Sequence, residues 1–275
     1  MNYFEYCFTV TPLQPAVDIL MAELDKAGFE GFMEIEDGLK AYIQKKDWKN
    51  NILSEVPSLK NPGFHIEYDY REVVAENWNT EWEKNFDSVV IEEMCTIRAP
   101  FHPEADTRFD IVINPKMSFG TGHHETTRMM VRFLLKEEVK DKRVLDMGSG
   151  TGVLAILAEK KGAAYVEAVD IDPWCCLNAL ENVKHNHCEK IEVTQGDIWK
   201  IRDKKYDVIF ANINKNVLLR DMTAYTSSLN NKGTLIMSGF YKEDLFSIGN
   251  KCEALSLKLM EKKEINGWIA VKYIS

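Results

Sequence analysis

Val144-Leu145-Asp146-Met147-Gly148-Ser149-Gly150-Thr151-Gly152 is the stretch on which the fold of this chain turns. An apolar strand runs into an acid, three glycines follow at alternate positions, and a helical pattern begins at Gly152. Glycine lets the chain turn tightly and lets a ligand approach the backbone with no Cβ in the way. Such a turn lies at the C-terminal edge of an open α/β sheet, where these folds bind ligands. The spacing discriminates between cofactors. A dinucleotide fingerprint, G-x-G-x-x-G, would place its third glycine at Val153. The pattern here is G-x-G-x-G behind Asp146, an acid that opposes a pyrophosphate and suits a cationic amino-acid group.

Outward from this turn, strands and helices alternate. Strands are predicted at 109–113, 144–146, 165–170, 191–195, 206–211 and 233–239, and helices at 126–138, 152–161, 173–186, 215–229 and 242–254. Two closing strands, 257–263 and 268–274, meet through Asn266-Gly267, a strong hairpin signal. The alternation implies a mostly parallel, doubly wound sheet with an antiparallel hairpin at its edge. Each strand end brings a suited polar group. Asp170 can accept both hydroxyls of a ribose, Asp197 can reach an adenine amine, and Asn212 places an amide after the fourth strand. Trp174 and Trp199 follow two of these strands; either could pack near an adenine, with core packing the preferred expectation. The succession resembles the Rossmann-like class I S-adenosylmethionine-dependent methyltransferases over roughly residues 107–275.

Upstream, Pro115-Lys116-Met117-Ser118-Phe119-Gly120-Thr121-Gly122-His123-His124-Glu125-Thr126-Thr127 reads as a flexible glycine-containing cover. Thr126 and Thr127 are expected to cap the helix that follows. Adjacent histidines point different ways and no third ligand is near, so no metal is expected. The stretch is similar to the F-G-T-G-x-H-x-T-T signature of the bacterial ribosomal protein L11 methyltransferase family. Trp78, Trp82 and Phe86, spaced by four within residues 73–88, fit that family's linker helix. The resemblance implies S-adenosylmethionine as cofactor, with contacts at Thr127, Gly148, Asp170 and Asn212. Asp146, Gly150 and Asp197 join them from the strand-end reading. It also implies a ribosomal protein substrate, methylated on lysine side chains and sometimes on its N-terminal amine. Many members have Thr-His-Pro-Thr-Thr where this chain has His123-His124-Glu125-Thr126-Thr127, and Leu in place of Asn214. Asn212 would orient the amine through its carbonyl. Asn214 would share that contact or cap the next helix.

Residues 1–72 read as strand, helix, hairpin at Asp37-Gly38, a second helix from Asp47 carrying Trp48, Ile52 and Val56, and strand. That is the order of a ferredoxin-like split βαβ unit, which the family resemblance makes the substrate-recognition domain. Residues 73–88 are the linker and 89–275 the methyltransferase domain. The chain has 275 residues, 34 Lys+Arg against 43 Asp+Glu, and a net charge of −9. Residues 1–72 hold seven Lys+Arg against thirteen Asp+Glu, so a quarter of the chain carries −6 of that balance. An acidic chain is ill suited to a phosphate backbone and better suited to a basic protein partner. No signal peptide or membrane span is expected. Six cysteines without a C-x-x-C pair suggest reduced thiols in a cytoplasm. Two rival readings remain: a nucleic-acid methyltransferase acting on base amines, and a module that binds the cofactor without turnover.

Overall fold

The computed structural model describes residues 3–73, 86–116 and 118–275. The expected linker helix, with Trp78 and Trp82, lies mostly outside the described residues. Two compact units divide the chain, Met1–Asn85 and Phe86–Ser275.

In the first unit, β1 (Tyr3–Thr11), β2 (Gly31–Ile35), β3 (Gly38–Gln44) and β4 (His65–Val73) form an antiparallel sheet in the order β2-β3-β1-β4. Helix α1 (Leu13–Lys26) buries Ala16, Val17, Leu20 and Leu24 in a core with Phe8, Val10, Leu39 and Ile43. Two expectations change here. The hairpin loop is Glu36-Asp37 rather than Asp37-Gly38, since Ile35 pairs with Gly38. Gly38 is required because a Cβ there would stand 1.8 Å from the Phe8 carbonyl oxygen. The second helix is replaced by two 3-10 turns, Ile52–Glu55 and Pro57–Lys60. Val56 precedes a proline and is held extended at φ −96, ψ 100, which breaks a continuous helix.

The second unit contains a small sheet, β5 (Val89–Ile91), β6 (Cys95–Arg98) and β7 (Phe109–Val112), and a seven-stranded one. The expected strand at 109–113 therefore pairs with β6 and stays out of the main sheet. The main sheet comprises β8 (Arg143–Met147), β9 (Tyr165–Asp170), β10 (Ile191–Gln195), β11 (Tyr206–Asn212), β12 (Leu229–Tyr241), β13 (Lys258–Ile265) and β14 (Trp268–Ile274). Its order is β10-β9-β8-β11-β12-β14-β13. Only β14 runs against its neighbours, inserted between β12 and β13, so the closing hairpin contributes one interior strand and one edge strand. Asn266 and Gly267 both adopt positive φ at its turn, as a two-residue loop of this type needs.

Helices α2 (Glu125–Lys136), α3 (Val153–Lys160) and α4 (Pro173–His185) cover one face with Met129, Phe133, Leu154 and Val183. Helices α5 (Lys215–Ser228) and α6 (Leu245–Ala254) cover the other with Leu218, Met222 and Ile248. Strand order reverses between β8 and β11, and the crevice outside their C-terminal ends is where a doubly wound sheet takes a ligand. Among the described residues no helix is long and apolar enough to cross a membrane.

Candidate active site

A cleft of about 340 Å³ opens at that switch point. Gly148, Gly150, Asp170, Asp197 and Asn212 all line it, together with Phe119, Met147, Ile171, Ile198 and Ile213. Five residues expected from four strand ends thus line one cleft.

The N–H groups of the glycine turn are taken up by neighbouring segments and, at Gly152, by the turn itself. Gly148 and Ser149 donate to the Val169 carbonyl at 2.8 and 3.1 Å. Gly150 donates to Asp170 Oδ2 at 2.8 Å, Thr151 to the Phe119 carbonyl at 2.9 Å and Gly152 to that of Ser149 at 2.8 Å. Every N–H from Gly148 to Gly152 is bonded within the chain, so none is left to receive a pyrophosphate. The turn fits a cofactor without phosphates. Gly150 has φ +52, and a Cβ on it would stand 2.2 Å from the Phe119 oxygen. Its role is close approach of two chain segments.

The segment expected as a flexible cover is instead pinned to this turn. Besides the Phe119 bond, the Thr151 hydroxyl donates to the Gly120 carbonyl at 2.8 Å. The helix cap also differs from expectation. His124 Nδ1 accepts the Thr126 N–H, so the imidazole caps α2. The Thr127 hydroxyl is buried, has no hydrogen-bond partner and is absent from the cleft lining.

Asp146 is likewise absent from the lining, at 1 % exposure. Side chains alternate along a strand. Met147 reaches the cleft, while Asp146 turns toward α3 and accepts the Ala155 N–H at 3.1 Å. Burial pushes its carboxyl up to about 7, with the Asp170 charge adding to the rise and the Ala155 bond opposing it. Asp170 faces the cleft with both oxygens engaged once, by Gly150 N–H and by Asp172 N–H at 3.0 Å. Each oxygen keeps a lone pair, which is what two ribose hydroxyls need. Asp197 Oδ1 accepts the Trp199 N–H at 3.1 Å.

Asn212 ends β11, and its side-chain oxygen is buried without a partner. Asn214 caps α5 through the Val217 N–H. Trp174 and Trp199, expected in the core, are 76 % and 68 % exposed. Both follow a capping acid, Asp172 or Asp197, at a helix or 3-10 start, where the first turn projects outward. The sequence reading missed a scaffold on α4. Asn178, Asn182 and Asn186 recur every four residues and are buried. Asn182 Oδ1 accepts the Asn114 N–H and its Nδ2 donates to the Thr151 carbonyl, while Asn186 holds both backbone groups of Val112. That four-residue recurrence of Asn was the available signal.

The residues fit S-adenosylmethionine. The cleft offers free lone pairs on acids for ribose and adenine donors, apolar Ile171 and Ile198, an unpaired amide oxygen, and no spare N–H on the glycine turn for phosphate. A family model described as "Ribosomal protein L11 methyltransferase (PrmA)" matches residues 17–274. A ribosomal protein L11 methyltransferase of Bacteroides thetaiotaomicron is 45 % identical over 278 residues, covering 99 % of both chains. One from Porphyromonas gingivalis is 44 % identical over 286 residues, covering 99 % of this chain and 98 % of its own. Among solved structures, a ribosomal protein L11 methylase from Lactobacillus delbrueckii subsp. bulgaricus superposes with a TM-score of 0.64 at 29 % identity, over 69 % of this chain and 98 % of that one. With the glycine turn, the strand-end acids and Asn212 on one cleft, and with relatives matching end to end, this chain belongs to the ribosomal protein L11 methyltransferase family.

Proposed function

We propose that this methyltransferase moves methyl groups from S-adenosylmethionine to lysine amines of ribosomal protein L11, with the Met1–Asn85 unit holding the protein substrate. The carrying observation is Asn212: a buried, unpaired carbonyl oxygen on the cleft wall calls for an N–H donor, and an amine supplies one.

The bound donor supplies an activated methyl on a sulfonium, so the chain needs no nucleophile of its own. Asp170 would hold the ribose, Asp197 the adenine amine, and the glycine turn would set the floor of the site. Thr127, a contact by family resemblance, would need a change in the cover segment to reach the donor. Asp146 acts from beneath by fixing the first turn of α3. A free lysine has a pKa near about 10.4. The apolar cleft walls, Phe119, Met147 and Ile213, disfavour its ammonium form and promote loss of the proton. Asn212 then orients the lone pair without retaining the ammonium, as a carboxylate would.

Family membership and the acidic balance favour a protein acceptor over a base amine of ribosomal RNA. The acidic residues Glu34, Glu36 and Asp37, exposed on and beside the edge strand β2, suit a basic partner. A ribosomal protein acceptor and unpaired thiols fit the cytoplasm. The test is to supply labelled donor with ribosomal protein L11, other basic ribosomal proteins, and ribosomal RNA, then map label by mass spectrometry. Lysine label confined to L11 is expected; label in RNA, or spread equally over the proteins, would defeat the reading. Glu34→Lys with Glu36→Lys should raise KM for the protein severalfold and leave donor affinity unchanged. An unaltered KM would remove β2 from the docking surface.

A further inference from the structure

Five large apolar side chains stand in solvent on two neighbouring turns of the main sheet. Ile171 is 73 % exposed, Trp174 76 %, Leu177 59 %, Leu180 40 % and Trp199 68 %. Ile171 to Leu180 lead from β9 into α4, and Trp199 follows β10. The two turns are tied together. The Gly196 N–H donates to the Asp170 carbonyl at 2.8 Å, and Gln195 Nε2 to the Ile171 carbonyl at 3.3 Å. On α4, Trp174, Leu177 and Leu180 recur every three residues and so share a side, while Cys176, Ala179 and Val183 are buried on the other. A helix that carries apolar side chains on both sides is normally covered on both.

The face is large enough to be an interface. At those exposures the five side chains present on the order of 600 Å² of surface. The largest apolar patch on an ordinary monomer spans about 300–600 Å². With its polar rim the face reaches the scale of a stable protein interface, about 800 Å² per partner. The rim decides the occupant. Asp172, Glu181 and Asp203 stand around it with Lys184, Lys200 and Arg202, as many acids as bases. A phosphate backbone calls for an excess of bases and a basic protein for an excess of acids, and this rim offers neither. Its charges instead complement themselves. Helix α4 opens on Asp172, its capping acid, and has Lys184 in its last turn, about 18 Å along the axis. Two copies of α4 lying in opposite directions about a two-fold axis bring each Asp172 to the other's Lys184 and set Leu177 against Leu180.

We propose that this face joins two copies of the chain into a two-fold dimer, with α4 packed antiparallel to its counterpart and Trp174 and Trp199 as anchors. An isologous contact of this kind closes on itself, so the patch is used up in one pairing and no filament grows from it. Large aromatics dominate such interfaces because each buries a large apolar area. The exposure that is unusual for two tryptophans is then met by the second copy. The face also borders the cleft. Ile171 lines it, and the turns that bear Trp174 and Trp199 begin at Asp170 and Asp197. A second copy seated here braces those turns. Asn212 ends β11, on the far side of β8 from β9 and β10, and stays open to an acceptor.

Sedimentation velocity on the full chain tests this. Wild type at about 50 μM should sediment as a dimer. Leu177→Lys, Leu180→Glu and Trp174→Ser should each weaken self-association about 30-fold or more. All three side chains are exposed in the single chain, so donor affinity by calorimetry should stay within about twofold and report that the variants fold. An equal mixture of Leu177→Lys and Leu180→Glu should recover the dimer, because antiparallel pairing sets the new base against the new acid. A mixture that stays monomeric overturns that pairing. If either leucine variant does not fold, Trp174→Ser, at the most exposed of the five positions, decides. A monomeric wild type overturns the proposal, as does a dimer that all three variants leave intact. Loss of ribosomal protein L11 binding in Leu177→Lys, with wild type monomeric, would give the face to the substrate instead.

Discussion

On the β8–β10 side of the cleft every N–H from Gly148 to Gly152 is bonded within the chain, and both oxygens of Asp170 are held by backbone donors. Across the switch point Asn212 keeps a carbonyl oxygen with no partner, and beyond it Tyr241 is half exposed. The first side is a finished surface whose shape is set before any ligand arrives. The second is satisfied only when something else supplies a donor. A methyl donor that presents the same atoms in every turnover suits the finished side. On the function proposed above, a protein acceptor that brings its own N–H donor suits the unfinished one. Rigid placement on one side lets the other do the orienting, and orientation is where a pre-activated methyl gains its rate.

Replacing Gly150 should test the finished side hardest. Gly150→Ala adds a Cβ 2.2 Å from the Phe119 oxygen at a left-handed φ of +52. Left-handed strain alone costs about 1–3 kcal/mol, and the clash forces apart the turn and the cover segment. Donor affinity should fall at least about 100-fold by calorimetry. A loss under threefold would mean the turn has slack. On the other side, Asn212→Ala should lower kcat by about 100-fold with a smaller loss of donor affinity. Full kcat in that variant would strip Asn212 of its acceptor role. Asn212→Asp sharpens the point through charge. A carboxylate favours the ammonium form of the acceptor, so the rise of rate with pH should move to more alkaline values.

The same contrast explains how much was legible in the sequence. The glycine turn, Asp170, Asp197 and Asn212 were readable because chain order along a parallel sheet dictates which strand ends meet. The Asn266-Gly267 turn was readable because both positions need positive φ. Asp37-Gly38 looks the same in sequence, yet Gly38 serves a close approach to Phe8 from a distant strand, and the loop sits one residue earlier. Long-range contacts hid other features too. Thr151 pins the cover segment across a separation of 31 residues, and His124 takes the cap expected of Thr126 and Thr127. The exposed Trp174 and Trp199 defied composition, since large aromatics are usually well buried.

Asp146 and Asp170, on adjacent strands, carry the smallest and most discriminating prediction. Spacing alone put both on the cofactor, but only Asp170 lines the cleft. The Asp146 carboxyl is raised to about 7 by burial, against about 3.9 for an unfolded chain. Between those values the folded state binds more protons than the unfolded one. Stability from this group therefore falls as pH rises from about 4 to 7, and the penalty is complete above 7. Asp146→Asn keeps an acceptor for the Ala155 N–H and cannot ionise. In urea unfolding the variant's advantage over wild type should grow between about pH 5 and pH 8 by about 2–3 kcal/mol. Its donor affinity should change little, whereas Asp170→Asn should weaken the donor more than about tenfold, since the amide cannot accept two backbone donors and two ribose hydroxyls at once. If Asp146→Asn instead loses the donor and gains no alkaline stability, the acid belongs to the ligand wall, and the strand alternation that turns it toward α3 is not what sets its role.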